Sequence, residues 1–151
     1  MLRLSRKTLF AIEAVIDIAY HAGAAPVRGA EITRRQGIPK RYLERALQEL
    51  VRAGGLVGVR GPRGGYRLAR ERRRITVGEI VRIVRALETA QADIADAGGS
   101  ALGQKVVRPL WSELADGVMT RLDAVTIEDM CARAAQAGVA SEGRRNLDFA
   151  I

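Results

Sequence analysis

The residues of this chain whose types and spacing suit chemistry are mostly cationic, and they fall in two groups. Lys40, Arg41, Tyr42, Glu44, Arg45 and Gln48 occupy one side of a segment with helical periodicity, and Arg60, Pro62, Arg63 and Gly64 lie in a glycine-rich run downstream. Arginine binds guanine through two parallel N–H bonds, a carboxylate accepts from the cytosine amino group, and glycine lets a backbone approach phosphate closely. That chemistry is recognition of nucleic acid rather than bond-making. Glu44 would repel phosphates, so it either reads a base or pairs with Arg41 or Arg45. The plainer alternatives are a solvated charged helix face and an ordinary surface hairpin. No serine, cysteine or carboxylate arrangement supplies a nucleophile with a base, so enzymatic activity is not expected.

Charge distribution agrees with this chemistry. The chain has 151 residues, 25 Lys+Arg against 17 Asp+Glu, and a net charge of +8. Residues 1–85 carry 19 Lys+Arg and 7 Asp+Glu, whereas residues 86–151 carry 6 and 10. A basic first part suits a polyanion, most commonly nucleic acid, and an acidic second part has another task. An arginine-rich proteome would explain the scarcity of lysine but not the sign change. The length suits one compact domain, or a small domain with a helical extension. A single cysteine excludes an internal disulfide framework and a cysteine-rich metal site within the chain. The opening Met1–Lys7 has the charge of a signal n-region, but Glu13 and Asp17 interrupt the apolar stretch behind it. No membrane span is expected, and the cytoplasm is the expected location.

The elements that must position these residues follow from periodicity. Leu9, Ile12, Val15, Ile16 and Ala19 give a first helix from Thr8 to His21, ended by Gly23 and Pro26. A short helix is predicted from Ala30 to Arg35, with a stop at Gln36–Gly37. A third begins near Pro39, buries Leu43, Ala46, Leu47, Leu50 and Val51, and stops at Gly54–Gly55. Leu56–Arg60 and Tyr66–Ala69 predict two short strands joined by the turn Gly61–Gly65. Thr76–Glu79 has capping-box spacing and opens a helix through about Glu88. Residues 89–107 suggest a loop, and Pro109 begins a helix with Leu110, Leu114, Val118, Leu122 and Val125 along one side. Thr126–Asp129 caps a last short helix through Ala135, and residues 137–151 suggest a mobile tail. The fold class is therefore mainly α. The expected division is a winged helix-turn-helix domain with a two-stranded β wing over 1–88, a loop over 89–107, a longer and a short C-terminal helix over 108–136, and the tail.

Several blocks resemble one family. Gln36-Gly37-Ile38, Tyr42-Leu43-Glu44, Arg60 to Ala69, Ile75 to Ile80 and Pro109-Leu110-Trp111 are similar to the IscR/NsrR/CymR group (BadM-type) of bacterial winged helix-turn-helix regulators. The likeness runs from about Leu2 to Met130. It implies a homodimer on imperfectly palindromic operators in double-stranded DNA. It also implies that 89–107 is the sensor-position loop and that the helix from Pro109 to Ala124 is the dimerisation helix, crossing its partner's copy through Leu110, Trp111, Leu114, Val118 and Leu122. Carried over by position, the base and backbone contacts fall on Arg41, Tyr42, Glu44, Arg45, Arg60, Pro62 and Arg63. Pro39, Arg41, Arg45 and Arg63 depart from the small polar residues common in the group, which makes other members' operators poor guides. Many members hold an iron–sulfur cluster through cysteines before the dimer helix. Here Ala90–Val107 contains neither Cys nor His, and Arg108 stands three before Trp111. No cluster or other cofactor is expected.

The reading that follows is a DNA-binding transcriptional regulator, a repressor, acting as a homodimer. Alternatives are gating by an unidentified effector or protein partner, a switch through Cys131 oxidation, and an interaction module with incidental DNA binding. Cys131 suits a small buried hydrophobe, Trp111 suits packing, and His21 suits a cation at a helix C-terminus.

Overall fold

The computed structural model describes residues 4–92 and 99–143. Its elements are α1 (Arg6–Tyr20), α2 (Gly29–Gln36), α3 (Lys40–Arg52), β1 (Leu56–Val59), β2 (Gly65–Leu68), α4 (Val77–Ala92), α5 (Arg108–Asp123) and α6 (Ile127–Gln136). Helix α1 opens because the Ser5 hydroxyl accepts from the Thr8 amide at 3.2 Å. Gly37, at φ 65°, reverses the chain between α2 and α3 in a conformation that disfavours a side chain. The core joins Ala11, Val15 and Ile18 of α1 to Ile32, Leu43, Leu47 and Leu50 of the helix-turn-helix and to Ile80 and Val81 of α4. Ile75, Ile127 and Cys131 extend it toward α6.

The C-terminal helices are tied directly to this unit. Val77 N–H donates to Val125 at 2.8 Å and Ile127 N–H donates to Ile75 at 2.8 Å, so the α5–α6 connection lies against the entry to α4. Arg82 of α4 clasps Asp123 of α5 through two bonds of 2.5 and 2.6 Å. The box predicted at α6 is complete, with Thr126 and Asp129 each accepting from the other's N–H, whereas at α4 Thr76 accepts from Glu79 N–H while the Glu79 carboxylate accepts from Arg70.

Two segments differ from their predicted form. Of the expected loop over 89–107, Thr89–Ala92 belong to α4, and Ala101–Val107 are helical; residues 93–98 lie outside the described residues. Ser100 starts the second stretch by accepting from Gly103 N–H at 3.1 Å. Residues Gly103–Val107 form a π-type turn in which Arg108 N–H reaches Gly103. That wide turn accommodates Pro109, which has no N–H to give and whose ring crowds the preceding turn. Pro109 therefore sits inside a continuous helix rather than at its start.

The expected tail is also partly docked. The Tyr20 hydroxyl donates to the Val139 carbonyl, the Ser141 hydroxyl donates to the Tyr20 carbonyl at 2.7 Å, and Glu142 N–H donates to His21 Nδ1 at 3.0 Å. The Glu142 carboxylate accepts from Arg34 and Arg35. Residues 144–151 lie outside the described residues.

His21 is thus not the dipole-facing cation that its position suggests. Its imidazole is buried and uses a lone pair, and burial, then Arg35, push its pKa below the ordinary 6.5. The unfolded chain consequently binds a proton at a pH where the folded chain does not. Stability is complete above about pH 6.5 and falls as pH drops toward the lowered folded value. The thermal midpoint is expected to decline between about pH 7 and pH 5, and less steeply in His21→Gln, whose amide oxygen still accepts. Equal slopes in the two proteins would contradict this role.

Candidate nucleic-acid interface

Helix α3 divides its residues sharply. Leu43, Leu47 and Leu50 are buried, while Lys40, Arg41, Tyr42, Glu44, Arg45 and Gln48 are exposed, so the structure brings all six predicted residues of this helix to its outer side. Tyr42 is 50% exposed, unusual for an aromatic residue with apolar neighbours available. Glu44 pairs with neither Arg41 nor Arg45; its carboxylate faces Lys40 at 3.8 Å, one helical turn back. Both side chains are exposed, so this pair contributes little and leaves Glu44 free to exchange partners. Among the described residues, Arg41 and Arg45 have no ion-pair partner.

The wing is built as predicted, with an anchor the sequence did not announce. Strands β1 and β2 pair antiparallel from Leu56 opposite Leu68 to Val59 opposite Gly65. Val27, ahead of α2, adds a bridge on the other side of β2, exchanging bonds of 3.0 and 2.7 Å with Tyr66. A Cβ on Gly65 would lie 2.4 Å from the Val27 carbonyl oxygen, and one on Gly64 would lie 2.3 Å from that of Val59. The two glycines are therefore required for the wing's own packing, apart from any approach to phosphate. Arg28 reaches across from the start of α2 and donates to the Pro62 carbonyl at 2.9 Å, holding the tip. Arg60, Pro62 and Arg63 are exposed, and neither arginine has an ion-pair partner among the described residues. Lys7 and Phe10 of α1, also missed, line a recess with Arg41, Tyr42 and Arg45. No local pattern marked Arg28 or Lys7, because their partners are distant in sequence.

Helix α5 carries a second exposed set of another kind. Leu110, Trp111, Leu114 and Val118 are 53, 45, 44 and 37% exposed, and Leu102, Val106 and Val107 continue the apolar surface through the π turn. Leu122 departs from this stripe, being half-buried with Met119 and Val125 against the core of its own chain. Helical geometry explains the difference, since one further turn from Val118 rotates position 122 toward the side occupied by Met119.

The Rrf2 family, described as iron-dependent transcriptional regulators, matches residues 4–133. The chain belongs to the Rrf2 family. Its sequence is 31% identical over 150 residues to the HTH-type transcriptional regulator IscR of Aliivibrio salmonicida, covering 99% of this chain and 88% of that one. Among solved structures it is similar to T. potens IscR, with a TM-score of 0.73, 34% identity and 93% of each chain covered. It is also similar to CymR, the global cysteine regulator of B. subtilis, with a TM-score of 0.71, 28% identity, and 88% and 98% covered. The winged helix fold and the family resemblance are both borne out, and the Rrf2 chain is a DNA-binding transcriptional regulator rather than an enzyme. No helix among the described residues is long and apolar enough to cross a membrane.

The residues of this member do not fit the iron that the family description implies. The whole sequence holds one cysteine and one histidine. Cys131 is buried on α6, and burial pushes its thiol pKa up, away from the thiolate a metal needs. His21 already spends a ring nitrogen on the Glu142 amide. Among the described residues, no three His, Cys, Asp or Glu side chains gather where they could hold an ion. The same buried, raised thiol disfavours oxidation of Cys131 as the primary switch.

Proposed function

We propose that this Rrf2 protein is a sequence-specific repressor that binds a palindromic operator as a homodimer, without an iron–sulfur cluster. The observation that carries the reading is α3 itself. Its apolar residues are consumed by the core, and its outer side offers Arg41 and Arg45, which have no ion-pair partner among the described residues, beside a weakly held Glu44. An α-helix fits the major groove, where arginine and carboxylate side chains distinguish base pairs. In this reading Arg41, Glu44 and Arg45 supply sequence preference, with Lys40, Tyr42 and Gln48 beside them. Arg60 and Arg63 contact the minor groove or phosphates, while Pro62 and Gly64 shape the turn that presents them. Two copies joined through Leu110, Trp111, Leu114 and Val118 would present recognition helices to half-sites about one helical turn, or a multiple of it, apart. The division into a DNA-binding part over 1–88 and a dimerising part over 108–136 belongs to the same proposal.

Two substitutions separate the roles. Glu44→Ala is expected to flatten the ranking of operator variants, by about 1 kcal/mol at the base pair it reads, more than it lowers overall affinity. An unchanged ranking would remove Glu44 from base readout. Arg63→Ala is expected to weaken binding to all sequences and to reduce the salt slope by up to about one. A loss confined to particular sequences would contradict a phosphate role. Sequence preference also separates this reading from an acidic protein partner, since both partners would bind more weakly in salt.

A further inference from the structure

We propose that the recess between α1, α3 and α4 binds a small amphipathic carboxylate, and that this ligand competes with DNA for Arg41 and Arg45. The recess has a volume of about 440 Å³, within the range of small-molecule sites. Its floor is apolar, formed by Phe10, Ala46, Leu50, Ile83 and Val84. Its mouth carries Lys7, Arg41 and Arg45, none of which has an ion-pair partner among the described residues. The one carboxylate at the rim, Glu49, faces Arg52 at 3.9 Å instead.

Contact with DNA phosphates explains the cations but not the apolar recess behind them, which a nucleic-acid backbone cannot enter. An acid with a hydrocarbon body satisfies both, because the chain covers the floor while the carboxylate takes paired N–H bonds from arginine. The wider cavity beside α6, about 610 Å³, lacks this match. There Arg67 donates to the carbonyls of Gly23 and Ala24, Arg70 to Glu79, and Arg72 to Glu128. Its cations are already neutralised or committed, so an anion would have to break existing bonds. In the recess under α3 an anion breaks no ion pair of Lys7, Arg41 or Arg45 among the described residues.

Arg41 and Arg45 are also the residues assigned above to the operator, and the competition rests on that assignment. A carboxylate drawn onto them from beneath would turn the guanidinium groups from the groove toward the recess. The ligand would therefore release the DNA without any domain rearrangement.

Decanoate below its micelle concentration is a suitable probe, titrated calorimetrically into the DNA-free protein. One saturable site per chain is expected, and decanol, without the charge, is expected to bind at least about tenfold more weakly. Ile83→Phe, which fills the floor from α4, should lower decanoate affinity about tenfold while operator affinity stays within about threefold. Ala46→Leu fills it from α3 and serves the same purpose should Ile83→Phe not fold. Saturating decanoate should weaken operator binding at least about tenfold in the unmodified chain and not in the filled variants. The proposal is overturned by the absence of saturable binding, whether because a second copy covers the recess or for any other reason. Binding indifferent to both filling substitutions, or without effect on the operator complex, overturns it equally. Failure to bind any DNA selectively in the absence of ligand would instead sink the operator reading, and the calorimetric result is independent of that.

Discussion

Leu114→Glu is expected to turn the protein into a monomer and to weaken operator binding by about a hundredfold or more. Leu114 lies mid-way along the exposed stripe of α5, 44% exposed between Trp111 and Val118. Contiguous apolar surface of this kind on a folded chain marks a contact surface, and a carboxylate placed within it must be desolvated for two copies to meet. In a two-fold arrangement each copy places a charge near the axis, so the penalty is counted twice. Each monomer would then meet one half-site alone and lose the gain in effective concentration that joins two weak contacts into one strong one. Light scattering gives the mass directly, and mobility shift gives the affinity. A dimer that survives the substitution with operator affinity intact would place the interface elsewhere. Leu122→Glu provides a contrast, because Leu122 packs on its own core and its replacement should first cost stability.

The second large effect is on folding. Asp17→Asn is expected to destabilise the chain by about 3 kcal/mol or more. The Asp17 side chain is fully buried and accepts from Arg35 Nε and Nη2 at 2.9 and 2.7 Å and from Gln36 Nε2 at 2.8 Å. This fork clamps the end of α2, and hence the turn into α3, onto α1. Removing the charge leaves the Arg35 guanidinium, itself only 10% exposed, with Glu142 as its remaining anionic partner. The cost is that of a buried guanidinium stripped of its buried counter-charge, left only with the half-exposed Glu142, rather than of one hydrogen bond. Denaturant titration should show the midpoint falling with little change in slope. The Arg34–Glu142 pair is the internal control: with side chains 63 and 38% exposed, Arg34→Ala should cost less than about 1 kcal/mol. A loss for Asp17→Asn as small as that of Arg34→Ala would show that the clamp does not hold the helix-turn-helix.

The parts of this molecule that were legible in its sequence are those whose signals are local. Leu43, Leu47 and Leu50 repeat at helical spacing, which puts Arg41, Glu44 and Arg45 on the opposite side without further information. Gly61 to Gly65 between two short apolar alternations predicts the wing for the same reason. What escaped depends on partners far along the chain. Glu142 docks on His21 across a separation of 121 residues, and Arg28 reaches Pro62 across 34. Neither leaves a period to detect. Pro109 differs again: proline most commonly stands at a helix start, and here a π turn over Gly103–Val107 lets the helix run through it. The spacing of Leu122 fits the outer stripe as well as the inner side, and only the packing of α5 on the core distinguishes the two. Asp17 interrupts the apolar stretch of α1 like a solvent-facing charge, yet it is the buried acceptor of the Arg35 fork, whose partner lies 18 residues away.

The central claim is that this Rrf2 member reads DNA sequence by itself, with no cluster to assemble first. Selection of genomic fragments by the purified, metal-free protein at near-physiological salt, followed by sequencing, tests it most directly. Enrichment of one palindromic motif with half-sites about a helical turn apart, or a multiple of that, is the predicted result. A folded, metal-free protein that enriches no motif, yet does so once iron is supplied, would contradict it.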